Sequence, residues 1–362
     1  MYLSRLDLHG VRNLEDARLA LEDGVVLVTG DNGSGKTSLL EALWLLGTGR
    51  SFRSARIGPM IRYGLDSLTV YGEVRRADGR SHALGIQRQR SGETVIKVDG
   101  DRVRSASALA GILPVQLVHP ESVEIVSGTP GRRRRFLDWG VFHVEPSFGG
   151  EWRAFRRALE QRNALLRSVR GTEGELESWE ARLAEAAVSV DARRTEYVDA
   201  LAAELPAVLD ELGGPEAVQA AYVPGWDRDR PYHEELLRQR SADREGGFTR
   251  AGPQRADLRL QVEGRRAAEI LSRGQQKILA CALLVAQDRL LQRRRGDAGL
   301  VLVDDLPAEL DAEHRVRLGR ALCAVRGQVV MTAVQADLVL DGLDGARRLG
   351  RFHVEHGRIA PR

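Results

Sequence analysis

The segment that most restricts this chain is the passage from Gly24-Val25-Val26-Leu27-Val28-Thr29 through Gly30-Asp31-Asn32-Gly33-Ser34-Gly35-Lys36-Thr37 into Ser38-Leu39-Leu40-Glu41-Ala42-Leu43-Trp44-Leu45-Leu46. A β-branched run predicts a buried strand, the glycines a tight turn, and the apolar run a helix stopped by Gly47 and Gly49. The eight residues Gly30 to Thr37 fit the pattern G-x-x-x-x-G-K-[ST], and they lie between a strand and a helix, as that chemistry requires. Glycines let backbone N–H groups curl around phosphates, and the helix start adds its positive dipole. Lys36 is placed to reach the β and γ phosphates of ATP, and the Thr37 hydroxyl to ligate Mg²⁺. Only three of the 54 basic side chains are lysine, namely Lys36, Lys97 and Lys277. Where an arginine-using chain keeps a lysine, it selects a compact point charge over a planar fork.

The second half carries matching chemistry. Leu300-Val301-Leu302-Val303 reads as a buried strand ending in Asp304 and Asp305. Asp304 is placed to hold Mg²⁺ through its water shell and Asp305 to polarise the attacking water, so Lys36, Asp304 and Asp305 form the expected catalytic set. Leu271-Ser272-Arg273-Gly274-Gln275-Gln276 opens the helix before that strand and resembles the signature motif of ABC ATPases. Ser272 and the Gly274 amide stand at a helix start, where a γ phosphate is bound favourably. Ala308-Glu309-Leu310-Asp311 takes the place of the D-loop of such ATPases, Thr332 that of the switch-loop histidine, and Gln116 is a candidate Q-loop residue. A signature motif lies opposite the P-loop within one ABC chain, so the resemblance implies a composite site completed by a second copy.

The patterns around these motifs set the architecture. Residues 68–74, 82–88 and 94–98 alternate between Asp-Gly and Ser-Gly turns, which predicts antiparallel hairpins. From residue 152 two apolar series at three-and-four spacing flank Gly171-Thr172-Glu173-Gly174, a helical hairpin. Net charge is +6 over residues 131–170 and −9 over 171–216. The arginines at 153, 156, 157, 162, 167 and 170 are therefore expected to face the acidic second helix before any outside partner. Strand and helix alternation resumes at Leu258 and predicts a parallel α/β sheet. The expected plan is an ATPase head over residues 1–148 and 249–362, with an antiparallel β subdomain, interrupted by a mainly helical insertion over 149–248. The longest apolar run, Ile278 to Ala286, falls far short of the roughly 20 residues of a membrane span, and a cytoplasmic location is expected. Cys281 and Cys323 make neither a disulfide framework nor a zinc site.

Nearly the whole chain resembles one family, the RecF ATPases, relatives of SMC heads without the long coiled coil. The resemblance rests on Asn32 in the P-loop, Gly49-Arg50-Ser51-Phe52-Arg53, His119-Pro120-Glu121, Gly128-Thr129-Pro130-Gly131 with the following Arg132 to Arg135, Gly252-Pro253-Gln254-Arg255-Ala256-Asp257, and Asp304-Asp305-Leu306-Pro307-Ala308-Glu309-Leu310-Asp311. Thr129, and Ala308 in place of a commoner serine, depart from the family pattern. The resemblance implies ATP-dependent homodimerisation on DNA, at duplex beside single-stranded gaps. It also implies weak, DNA-dependent ATP hydrolysis that resets the clamp, and cooperation with RecR and RecO in loading RecA. Arg50, Arg53 and Arg56, the run Arg132 to Arg135, and Arg293 to Arg295 are candidate contacts to DNA phosphates.

Other readings share the ATP motifs. A transporter subunit would not carry this helical hairpin, and an SMC protein needs hundreds of residues of heptads. An ATPase switch acting through protein partners without direct DNA binding remains the alternative.

Overall fold

The computed structural model describes residues 1–76, 78–168, 172–305 and 310–362. The chain forms two compact units, one of Met1–Ser122, Val208–Gly214 and Lys277–Arg362, the other of Val123–Ala207 and Pro215–Gln276. The expected domain limits at 148/149 and 248/249 both fall inside the second unit. The cause is packing of the Pro130–Val144 helix on the Asp257–Val262 strand, where Arg133 forks onto both carboxylate oxygens of Asp257 at 2.7 and 2.9 Å.

The first unit holds two six-stranded sheets. In one, strands run in the order Ala17–Ala20, Tyr2–His9, Ser67–Arg75, Ser81–Gln89, Thr94–Val98, Asp101–Val103, every pair antiparallel. Leu68, Val70 and Val74 are buried along its third strand while their neighbours are part-exposed, the period-two pattern of a sheet covered on one face. In the other, the order is Arg358–Pro361, Leu349–Glu355, Val25–Thr29, Gln328–Ala333, Leu300–Val303, Val115–Val118, parallel except for the first pair. Its three central strands are buried at every position, as parallel strands covered on both faces must be.

The Lys36–Thr48 helix packs against strands of both sheets, which explains why its sequence is apolar nearly all round. Gly47 does not stop it. A Cβ there would stand 2.2 Å from Val115 Cγ2, so this glycine admits the neighbouring strand, while Gly49, in the left-handed region at φ 72°, closes the helix by donating to Leu45 O. Gln328, fully buried, exchanges hydrogen bonds with both backbone groups of Leu3 at 3.0 and 3.1 Å and so sews the two sheets together.

The second unit is mainly helical. Its hairpin consists of Phe148–Arg167 and the Glu173–Leu212 helix, whose part up to Ala207 belongs here. The three-stranded antiparallel sheet of Val218–Val223, Asp257–Val262 and Arg265–Arg266 and the helix Tyr232–Gly246 complete it. Of the hairpin arginines expected to face the second helix, Arg162 does so. It is fully buried and bonded to Glu180, Asp243, Thr249 and the Leu236 carbonyl. A buried guanidinium survives only with its donors satisfied in this way. Two of the others are engaged differently: Arg156 pairs within its own helix with Glu160 and Arg167 donates to the Gly247 carbonyl, while residue 170 lies outside the described residues. The traffic also runs backwards, since Arg193 on the second helix reaches Glu145 and Glu151. Net charge along a helix does not specify which face each side chain occupies.

Candidate nucleotide-binding site

The loop Gly30–Thr37 wraps the start of the Lys36–Thr48 helix. Gly30, Gly33 and Gly35 have φ of 154°, 78° and 127°, which a side chain would resist. A Cβ on Gly30 would meet Val354 O at 2.2 Å and one on Gly35 would meet Leu14 Cδ2 at 2.6 Å, so both positions are also sterically closed. No side chain caps this helix, and its first N–H groups are left to face the loop interior. Lys36 is buried and donates to the carbonyls of Gly30 at 2.8 Å and Asp31 at 3.2 Å. Ser34 Oγ is buried with no partner, while Asp31, Asn32 and Gly33 are exposed.

Two strand ends deliver the carboxylates. The Leu300–Val303 strand stands beside Gln328–Ala333, and this register sets Asp304 and Asp305 against Thr332. Thr37 Oγ1 and Thr332 Oγ1 both donate to Asp304 Oδ1 at 3.1 Å, and Thr332 Oγ1 accepts the Asp305 backbone N–H at 2.8 Å. Thr332, expected only at the switch-loop place, thus clamps the carboxylate pair from beneath. Burial pushes the Asp304 carboxyl above its ordinary pKa and the charge of Asp305 adds to this, opposed by the two hydroxyl donors and by Arg53. Asp305 sits at φ 41°, unusual for a residue with a side chain, with its Oδ1 buried and 4.0 Å from Lys36 Nζ.

A cavity of about 1060 Å³ opens over this loop. Its walls include Lys36, Thr37 and Asp305, and also Arg12, Arg53, Arg62 and Arg90, so cations outnumber carboxylates and an anion is favoured there. The brace behind the wall escaped the sequence reading. Asn13 donates to the carbonyls of Gly33 and Ser34, each at 3.2 Å, and accepts from Ser38 Oγ at 3.0 Å. Arg12 is held by the fully buried Glu41, which also accepts from Ser51. Neither residue falls in a recognisable pattern; only a buried acid inside an apolar helix hinted at Glu41.

The remaining expected residues are placed elsewhere. Ser272 and Gln275 form a capping box at the start of the Arg273–Arg295 helix: Gln275 N–H donates to Ser272 Oγ at 3.3 Å and Ser272 N–H to Gln275 Oε1 at 3.0 Å. The Ser272 hydroxyl proton is left available, as are the first-turn amides of Arg273 and Gly274. Ser272, Arg273 and Gln275 are exposed and belong to the second unit, whereas the cavity walls come from the first. Gln116 is not brought to the loop. It is buried opposite Val301, two residues short of its strand end, and its amide donates to Gln287 at 3.1 Å. Of the D-loop segment, Ala308 and Glu309 lie outside the described residues, and Asp311 caps the Ala312–Cys323 helix through the His314 N–H.

Comparison with known proteins places this arrangement. The family model for the RecF/RecN/SMC N-terminal domain matches residues 2–359. A protein named DNA replication and repair protein RecF from Stutzerimonas stutzeri (strain A1501) is 45% identical over 359 residues, covering 99% of this chain and 97% of its own. The chain belongs to the RecF family. A like-named protein from Pseudomonas aeruginosa (strain LESB58) is 45% identical over 360 residues, covering 99% of this chain and 98% of its own. Among solved structures, the recombination mediator protein RecF with ATP superposes with a TM-score of 0.87 at 24% identity, covering 100% of this chain and 97% of that one. An Smc head domain from Pyrococcus furiosus superposes at 0.61 with 15% identity, covering 100% of this chain and 96% of that one. The ABC-type head fold with a helical insertion, expected from sequence, is therefore that of RecF and SMC heads.

In this RecF-family chain many of the candidate arginines already have partners. Arg132 pairs with Glu124, Arg133 with Asp257, and Arg134 donates to the Ala256 carbonyl, which leaves Arg135 of that run exposed. Arg53 lies in the cavity wall, and Arg295 donates to the Gly111 carbonyl. Among the described residues no helix is long and apolar enough to cross a membrane.

Proposed function

We propose that this chain is an ATP-dependent, DNA-binding recombination mediator. It dimerises on ATP at gapped or junction DNA, hydrolyses ATP slowly, and assists RecR and RecO in loading RecA. Lys36 and the amides of Gly30 to Gly35 would hold the phosphates of ATP. The Thr37 hydroxyl and the Asp304 carboxylate, 3.1 Å apart, fit Mg²⁺, which takes few protein ligands alongside phosphate oxygens and water. Mg²⁺ there would neutralise charge developing on the phosphates. Asp305 would orient a water and take its proton, with Thr332 fixing the backbone that aims it.

The observation that carries the reading is the unequal distribution of phosphate-binding groups. One unit supplies the loop, the lysine and the carboxylates, while an exposed helix start with a free hydroxyl proton stands in the other. A second copy bringing Ser272 to the γ phosphate would join them. The DNA role is supported by relatives 45% identical along their whole length that bear the name DNA replication and repair protein. One observation favours the alternative of a switch acting through protein partners alone: the arginine run Arg132 to Arg134 is engaged within the chain.

Gel shifts on gapped DNA, with and without ATP, beside Lys36→Met decide between them. ATP-stimulated binding that the variant loses is expected; equal binding by both sinks the clamp. Sedimentation with a slowly hydrolysed ATP analogue tests the composite site, and a persistent monomer overturns it.

A further inference from the structure

The second unit displays an aromatic ring that its surroundings hold outward. The Tyr232–Gly246 helix ends with Gly247 in the left-handed region at φ 69°, and the N–H groups of Gly247 and Phe248 donate back to the carbonyls of Arg244 and Asp243. In this termination the residue after the glycine commonly folds its side chain back onto the helix. Phe248 instead remains 40% exposed. The guanidiniums of Arg255 and Arg250 lie 5.5 and 5.8 Å from its ring centroid.

The backbone on both sides is fixed. Thr249, buried, gives its N–H and hydroxyl to Asn163 Oδ1, both at 2.8 Å, and accepts from the buried Arg162. The Arg250 N–H donates to Asp243 at 3.1 Å. With Thr249 anchored inward, its neighbours Phe248 and Arg250 are turned to solvent. Among the described residues neither Arg250 nor Arg255 forms an ion pair, so both charges remain open to an outside anion. Arg167 adds a third cation, its guanidinium on the Gly247 carbonyl at 3.1 Å. Two guanidiniums without ion pairs lie over a ring that is itself 40% exposed, and such a group suits a ligand with a flat face and a repeated negative charge. A base can stack on the ring while its flanking phosphates meet the arginines.

We propose that Phe248, with Arg250 and Arg255, is a stacking platform for an unpaired base of single-stranded nucleic acid. The proposal rests on the DNA-binding reading above and narrows it: duplex offers no free base face, so this site responds to the single-stranded side of a gap. Stacking on a ring uses the π-face that every base has, so the site is expected to take any base.

The test is fluorescence anisotropy with labelled dT20 and with a blunt 20-base-pair duplex, using the full chain. Phe248→Ala is expected to weaken dT20 binding about tenfold and to leave the duplex unchanged, while Phe248→Trp restores it. Arg250→Ala with Arg255→Ala should lower the slope of log affinity against log salt by about 1.4 on dT20. Unchanged thermal melting of Phe248→Ala confirms that the fold is intact, as the ring is exposed. If wild-type protein binds the duplex or gapped DNA and Phe248→Ala binds dT20 as tightly as wild type, the platform is refuted while the DNA-binding reading stands. If wild-type protein binds neither oligonucleotide, both fail. Displacement of dT20 by poly-glutamate at equal charge concentration, abolished in Phe248→Ala, would reassign the site to an acidic protein partner and overturn the proposal.

Discussion

Two helix starts in this molecule are suited to phosphate, and they are built in opposite ways. The Lys36–Thr48 helix has glycine at its cap, no side chain on its first amides, and a buried lysine among them. The Arg273–Arg295 helix is closed by its own Ser272 and Gln275 and lies exposed. The first is destabilised as a helix end in order to receive an anion, since open N–H groups remain unsatisfied without one. The second is stable by itself and offers only a hydroxyl proton and two amides. On the proposed function, a site of the first kind would bind the nucleotide and one of the second kind would add to a ligand already bound.

The largest effect expected from this contrast falls on the chemistry of the first site. Asp305→Asn should reduce ATP hydrolysis by about 10²–10⁴-fold with nucleotide affinity retained, measured by steady-state turnover beside a binding titration. Comparable loss of affinity would mean that Asp305 holds the nucleotide. Lys36→Met should weaken ATP binding by about a hundredfold, since it removes charge-assisted bonds to two phosphates. Calorimetry checks this, and unaltered affinity would place the phosphates elsewhere.

For the second site, Ser272→Asp is the sharper variant. Aspartate caps a helix as well as serine, so melting should stay within about 0.5 kcal/mol of wild type. Its charge repels a γ phosphate, so ATP-driven dimerisation should weaken by at least about tenfold in sedimentation, with monomer ATP affinity unchanged. Normal dimerisation would reduce Ser272 to a cap.

The smallest effect tests the body of that second helix. Burial lifts the Asp288 carboxyl to about 7, above its ordinary value near 4. A raised carboxyl contributes stability that is complete below the unfolded value and lost as pH rises through the folded one. Melting temperature should therefore decline between about pH 4 and 7, and Asp288→Asn should flatten part of that decline. An identical slope in the variant would assign it to other groups.

How much was legible follows the same division between local and distant. The P-loop is one contiguous run whose glycines, lysine and threonine act within eight residues, so its strand and helix could be read directly. The hairpin strands near residues 68–98 were likewise visible from their turns. Thr332 acquires its role from the register of two strands and Gln328 from a bond to Leu3, and neither pairing is written near the residue concerned. Gln116 was misplaced because one glutamine on a strand carries no information about how far along it the site lies. Gly47 looked like a stop because composition does not distinguish a glycine that ends a helix from one that lets a neighbouring strand approach.

The strand order of the parallel sheet also bears on synthesis. The strand leading into the P-loop, Val25–Thr29, has as its two partners Gln328–Ala333 and Leu349–Glu355. On the ribosome it is made some 300 residues before the first of these partners, an interval in which Val123–Ala207 and Pro215–Gln276, the second unit, are made. Until then this five-residue strand, buried at every position in the fold, lacks its partners and is open to wrong pairings that chaperones can shield. The nucleotide loop therefore takes its shape only after Leu349–Glu355 has been made.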